Sequence, residues 1–181
     1  MRRLPAAALC LLLSSAAPAH AQIQDLQVRW RSIRTTHFSI HYQTPLGMVA
    51  RHAADALERA HARLEPLMGH RVSQRVEVVL TDGTDSANGS AGVLPYPAIR
   101  LFITAPEDIS SLSDYDDWLF GLVMHEDTHI VHLDEIGGLP AILNHIFGRV
   151  YAPNQVEPRW FIEGYAVHEE SLNTSGGRLR S

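Results

Sequence analysis

Val123-Met124-His125-Glu126-Asp127-Thr128-His129-Ile130-Val131-His132 is the stretch from which the fold is read. It holds His-Glu-x-x-His inside a run with apolar residues at helical spacing, which predicts a helix over about residues 116–135. Four residues apart on a helix, His125 and His129 project from one face, roughly 40° apart and about 6 Å along the axis. Two neutral imidazoles at that spacing can take two corners of a zinc tetrahedron. Glu126, about 100° round from His125, falls amid Leu119, Leu122, Val123, Ile130 and Leu133, the stripe expected to pack on the core. A carboxylate there is costly unless something charged or hydrogen-bonding meets it. Water activated by a metal at the two histidines is such a partner, and Glu126 is then its general base. The plain alternative is a chance match on an ordinary helix; the position of Glu126 within the apolar stripe argues against it.

Composition narrows the class. The 181 residues are 45% hydrophobic and 19% charged, which suits one compact domain with a sizeable core. The formal net charge is −5, and the basic residues are scattered apart from Arg2 and Arg3. That balance argues against nucleic acid or an anionic membrane as partner. Arg2 and Arg3 precede an apolar run over residues 4–13, and Ala19-His20-Ala21 fits the small-x-small cleavage rule. Residues 1–21 are therefore expected to be a signal peptide, with cleavage before Gln22 and export to the periplasm or beyond the cell. The later sequence has no apolar stretch long enough to span a bilayer as a helix. The single cysteine, Cys10, lies in the signal, which leaves the mature chain neither disulfides nor a thiolate metal site.

Along the chain, Phe38, Ile40 and Tyr42 alternate in a strand over residues 36–42. Val49, Ala53, Leu57, Ala60, Leu64 and Leu67 recur at helical spacing up to a stop at Gly69, with His52 and His61 expected on the solvated surface. Residues 75–80 and 98–104 read as two further strands, separated by a Gly/Ser/Asp/Asn-rich loop over residues 82–92. Pro95 and Pro97 suit an edge position for the strand at 98–104. There it either pairs with an extended peptide or merely closes the sheet. Ser113 and Asp116 resemble a capping box for the histidine helix, which Gly137 and Gly138 end. Residues 140–147 read as a short apolar helix, and Pro158 opens a last helix through about residue 170.

Two histidines leave a catalytic zinc site one protein ligand short. Glu163 is the choice. It shares its helix with Trp160, Phe161 and Val167, so it is expected to face inward from an apolar surface, where an unpaired carboxylate is costly. Gly164, inside the same helix at an energetic cost, is expected to mark a close approach by another backbone or a metal site.

The combination of His-Glu-x-x-His with a later Pro-x-Trp-Phe-x-Glu-Gly-x-Ala, residues 158–166, resembles the gluzincin metallopeptidases, in particular the bacterial peptidase MA-like family. The likeness runs from Asn88-Gly89 and Leu94-Pro95-Tyr96 through Glu170, close to half of the chain. It implies a zincin-like α+β fold, with a small mixed sheet whose edge strand lies above the histidine helix, and a second, ligand-bearing helix. It implies zinc (Zn2+) held by His125, His129 and Glu163, with Glu126 as general base for hydrolysis of a peptide or protein substrate. Residues 22–181 are then expected to be a metallopeptidase domain cut short at its C-terminus. Some relatives carry a β-propeller downstream, so a further domain of that kind is an expected partner.

Metzincins instead continue their motif with x-x-Gly-x-x-His, which here falls on His132 and Glu135. Without the glycine, Glu135 is carried away on the helix, and His132 lies roughly 10 Å along the axis from His125. Some zincins place an acid four residues beyond the third ligand to orient a histidine; that position is Val167 here. Glu170, Asp134 and His132 are the remaining candidates for that task, each expected instead to be a surface or packing residue. Tyr165 and His168, about 200° and 140° round the helix from Glu163, point away from the chemistry, which leaves the oxyanion donor unnamed. Two other readings stand beside the peptidase: a non-catalytic docking module of the cell envelope, and a metal-free binding domain.

Overall fold

In the computed structural model, residues 29–83, 88–103 and 118–175 are described. The expected signal peptide with its cleavage site, and the capping box at Ser113 and Asp116, lie outside them. One five-stranded sheet contains β1 (Trp30–Arg34), β2 (Phe38–Gln43), β3 (Val76–Thr81), β4 (Asn88–Gly92) and β5 (Ala98–Phe102), in the order β1-β2-β3-β5-β4. Four α-helices accompany it among the described residues: α1 (Gly47–Met68), α2 (Trp118–Leu133), α3 (Gly138–Phe147) and α4 (Arg159–Asn173). The fold is mixed α+β, and none of these helices is long and apolar enough to cross a membrane.

The alternation at Phe38, Ile40 and Tyr42 does bury these side chains on one sheet face, with Val76, Val78 and Leu80 of β3 and Ile99 and Leu101 of β5. Parallel pairing sets Phe38 opposite Val76 and Ile40 opposite Val78, with α1 as the crossover between β2 and β3. The other face is polar: His41 is bonded to Ser32 Oγ through Nδ1 at 2.8 Å and to Glu77 through Nε2 at 2.7 Å, which links three strands. β1 is mostly exposed, and its ladder with β2 is what defines it as a strand.

The edge-strand expectation needs correction. β5 lies inside the sheet, parallel to β3 and antiparallel to β4, and β4 is the edge. Pro95 and Pro97 precede the ladder, so they remove no N–H from it. The Pro97 carbonyl even accepts from Glu77 N at 3.0 Å. β4 comes from the segment expected to be loop. Its Asn-Gly-Ser-Ala-Gly sequence shows no alternation, so pairing with β5, rather than any side-chain pattern, makes it a strand.

α1 turns a face of alanines, Ala50, Ala53, Ala56 and Ala60, into the core together with Leu57 and Leu64. Small side chains let a neighbouring helix approach closely. Leu67, expected on that face, is exposed. α1 ends at Gly69 in the left-handed conformation (φ 66°), where glycine carries no steric penalty. His52 is exposed as expected, but His61 is 1% exposed, a correction explained by its partner on α2 below. Fourteen of the sixteen α2 residues are buried. The helix is therefore enclosed all round rather than packed along one stripe, and its polar residues need partners on every side. α3 is the opposite case, with no buried residue and with Leu139, Ile142, Ile146 and Phe147 exposed.

Candidate metal centre

His125 and His129 leave α2 on the side facing α4, with their Nε2 atoms 3.2 Å apart. Glu163, on the second turn of α4, brings Oε2 to 3.5 Å from His125 Nε2 and 3.7 Å from His129 Nε2. These three residues are the one group among the described residues whose ligand atoms converge as a metal would require, all within 4.8 Å. Zinc–nitrogen and zinc–oxygen bonds of about 2.0–2.1 Å in a tetrahedron set neighbouring ligand atoms about 3.3 Å apart. The donor set and its spacing therefore fit zinc.

α4 is held in place from both ends. At its start, His132 Nε2 on α2 meets Glu157 at 2.8 Å, and Asn154 Nδ2 donates to the His132 carbonyl at 2.8 Å. Its C-terminus is tied to α1 through Arg63, which donates to the Asn173 carbonyl at 2.8 Å. Between them Ala166, Glu169 and Glu170 form the buried face. This corrects the reason given for Glu163: Trp160 and Phe161 are exposed, and Glu163 reaches the cleft from a rim, its side chain 44% exposed. Gly164 marks no close approach either, since a side chain there would meet nothing within 4 Å among the described residues.

Glu170 is the member of this cluster that its sequence context understated. It is fully buried, and its Oε2 lies 3.0 Å from His125 Nδ1. Accepting the Nδ1 proton leaves the Nε2 lone pair turned toward His129 and Glu163, the tautomer a metal ligand needs. The available signal was its spacing of seven residues from Glu163, two helical turns on one face. Asp134 and His132 are engaged elsewhere. Asp134 meets His70 Nε2 at 2.9 Å and forms an ion pair with Arg149, and His132 pairs with Glu157. Glu135 is exposed. Tyr165 packs on the His132 ring, and burial followed by Glu169 and Glu135 raises its pKa, which keeps the hydroxyl protonated.

Around the three converging side chains lies a cleft of about 450 Å³, walled by β4, α2 and α4. Glu126 lines it at 5% exposure, between Leu122 and Leu133 of its own helix and the backbone of β4. Arg159, on the first turn of α4, stands at the mouth with Nε 3.8 Å from Glu163 Oε1. No periodic pattern had marked it.

A second carboxylate–histidine pair occupies another face of α2. Asp127 is fully buried, and its Oδ2 and Oδ1 lie 3.0 and 3.2 Å from His61 Nδ1. Glu65 Oε1 stands 3.3 Å from His61 Nε2 but off the hydrogen-bonding line. Burial by itself lowers the His61 pKa, but the Asp127 hydrogen bond and charge, with Glu65 and Glu58 behind them, raise it overall. Burial raises that of Asp127 more than His61 lowers it. Both shifts keep a proton on the pair. The chain matches no protein-family model, no curated protein and no solved structure.

Proposed function

We propose that the protein is an exported, zinc-dependent metallopeptidase of the gluzincin type, built on a zincin-like fold. One observation carries this reading. Glu163 follows His129 by more than thirty residues, yet its carboxylate stands 3.5 and 3.7 Å from the two Nε2 atoms of the histidine motif. His125, His129 and Glu163 would hold the metal, and one tetrahedral position would remain toward the cleft.

When bound, zinc supplies a Lewis acid that polarises the scissile carbonyl and lowers the pKa of water towards about 7. Glu126, at the cleft wall, takes the proton from the attacking water and returns it to the leaving amine. Glu170 holds the His125 ring in register. β4, the last strand of the described sheet, lines the cleft and offers an extended peptide a backbone edge on which to lie as an added strand. A docking module that kept the metal for structure alone would have no use for a buried carboxylate on the cleft wall, and Glu126 therefore favours the enzyme.

Metal analysis and a peptidase assay on the same preparation test the proposal. About one zinc per chain is expected, lost in His125→Ala and in His129→Ala. Glu126→Gln should keep the zinc and lose roughly 10²–10⁴-fold in turnover, the range for removal of a general base. A zinc-loaded wild type no more active than Glu126→Gln would leave the docking module standing. Loss of zinc in Glu126→Gln would make Glu126 a ligand and not the base.

A further inference from the structure

We infer that Gly89 is a positioning residue for Glu126: the side chain it lacks is the space in which the Glu126 carboxylate is seated. Gly89 lies within β4, and its φ is outside the left-handed region, so the backbone there would accept any residue. Glycine in a strand gives up conformational entropy and packs nothing. Its presence therefore calls for a reason in space rather than in dihedral angles.

Glu126 provides that reason. A Cβ built on Gly89 would stand 2.5 Å from Glu126 Oε1 and 2.7 Å from both Cδ and Cγ. All three distances are shorter than any non-bonded contact a methyl group tolerates. Rotation of the carboxylate alone would not relieve them, because Cγ is met as closely as Cδ. The whole side chain would have to swing away from β4 and into the cleft, off its seat. Gly92 in the same strand and Gly164 on α4 would each meet nothing within 4 Å among the described residues. The contact thus belongs to one position and not to glycine-rich sequence in general.

Gly89 itself is fastened. Its N–H donates to Asn88 Oδ1 at 2.8 Å, and β4 is registered on β5 with Gly89 opposite Leu101. The edge strand therefore closes over the carboxylate as a fixed lid of backbone, holding Glu126 on the side of the cleft where His125 and His129 converge. A base must be held to within a fraction of an ångström of its working position, and a misplacement of about 1 Å can cost 10²-fold in rate. The catalytic consequence rests on the proposed role of Glu126 as base, whereas the steric seat does not.

Two measurements separate these. On the metal-free protein, Gly89→Ala should lower Tm by about 5 °C through overpacking. In a Glu126→Ala background the same change should leave Tm unchanged or raise it, because the space is then empty and the strand gains a methyl group. An equal fall in both backgrounds would overturn the seat. With zinc, Gly89→Ala should retain about one equivalent of metal while kcat falls about 100-fold and KM moves far less. Glu126→Asp, one methylene shorter, should recover activity in the Gly89→Ala background beyond the product of the two single losses. An unchanged kcat in Gly89→Ala would overturn the positioning role. A wild type with no peptidase activity would remove the proposed function and leave the Tm coupling to decide the seat by itself.

Discussion

Two carboxylate–imidazole pairs tie α2 to its neighbours, one to α4 and one to α1, and differ in what lies beyond them. His125 Nδ1 meets Glu170, and His61 Nδ1 meets Asp127, each at 3.0 Å, with both carboxylates fully buried. Past His125, Nε2 looks into a cleft where a second imidazole and the Glu163 carboxylate converge. Past His61, Nε2 has no hydrogen-bond partner among the described residues: Glu65 stands off line, and the ring packs against His37 and Phe38. A buried acid holding an imidazole is therefore no sign of a metal centre by itself. The proposed metal centre rests instead on the second nitrogen facing a cleft and on the convergence of His129 and Glu163 there.

The largest effect that can break this comparison is on stability. His61→Leu leaves the Asp127 carboxylate buried without its partner and should cost about 3–5 kcal/mol in denaturant unfolding. Zinc stoichiometry should be unchanged. Loss of zinc as complete as in His125→Ala would mean that the two pairs are not separate devices. Glu170→Gln acts on the other pair and should be gentler on folding, since the amide oxygen can still accept the Nδ1 proton. It should weaken zinc binding about 10–100-fold in chelator competition, or about 1.4–2.7 kcal/mol.

A smaller effect sharpens the contrast through pH. Raised pKa values on the His61–Asp127 pair mean that the folded chain holds its proton to higher pH than the unfolded chain. For His61 the contribution to stability is complete below the ordinary histidine value of about 6.5 and is lost as pH rises through its raised value. For Asp127 it is complete below the ordinary aspartate value of about 3.9 and is lost as pH rises through its own raised value. The slope for one proton is at most about 1.4 kcal/mol per pH unit. Unfolding of the chelated protein between pH 6 and 9 should show this fall, and His61→Gln should remove it. Smallest of all, Glu135→Ala, at an exposed position just past the end of α2, should change stability by less than about 0.5 kcal/mol and zinc binding not at all. A measurable loss of metal there would reopen the choice of third ligand.

The sequence by itself determined the elements that rest on local periodicity. Phe38, Ile40 and Tyr42 announce β2, Gly69 ends α1, and the spacing of His125 and His129 puts two imidazoles on one face of α2. It also singled out Glu163, although for a packing reason that Trp160 and Phe161 contradict by lying exposed. Only the tertiary structure decided the rest. β4 exists because β5 pairs with it, and a backbone ladder leaves no periodic mark on Asn-Gly-Ser-Ala-Gly. His61 is buried because Asp127 faces it across two helices, sixty-six residues away. The close approach expected at Gly164 occurs at Gly89, where Glu126 fills the place of a side chain. Periodicity reports what a residue does within its own element; a partner on another element is fixed by packing, which one-dimensional spacing does not encode.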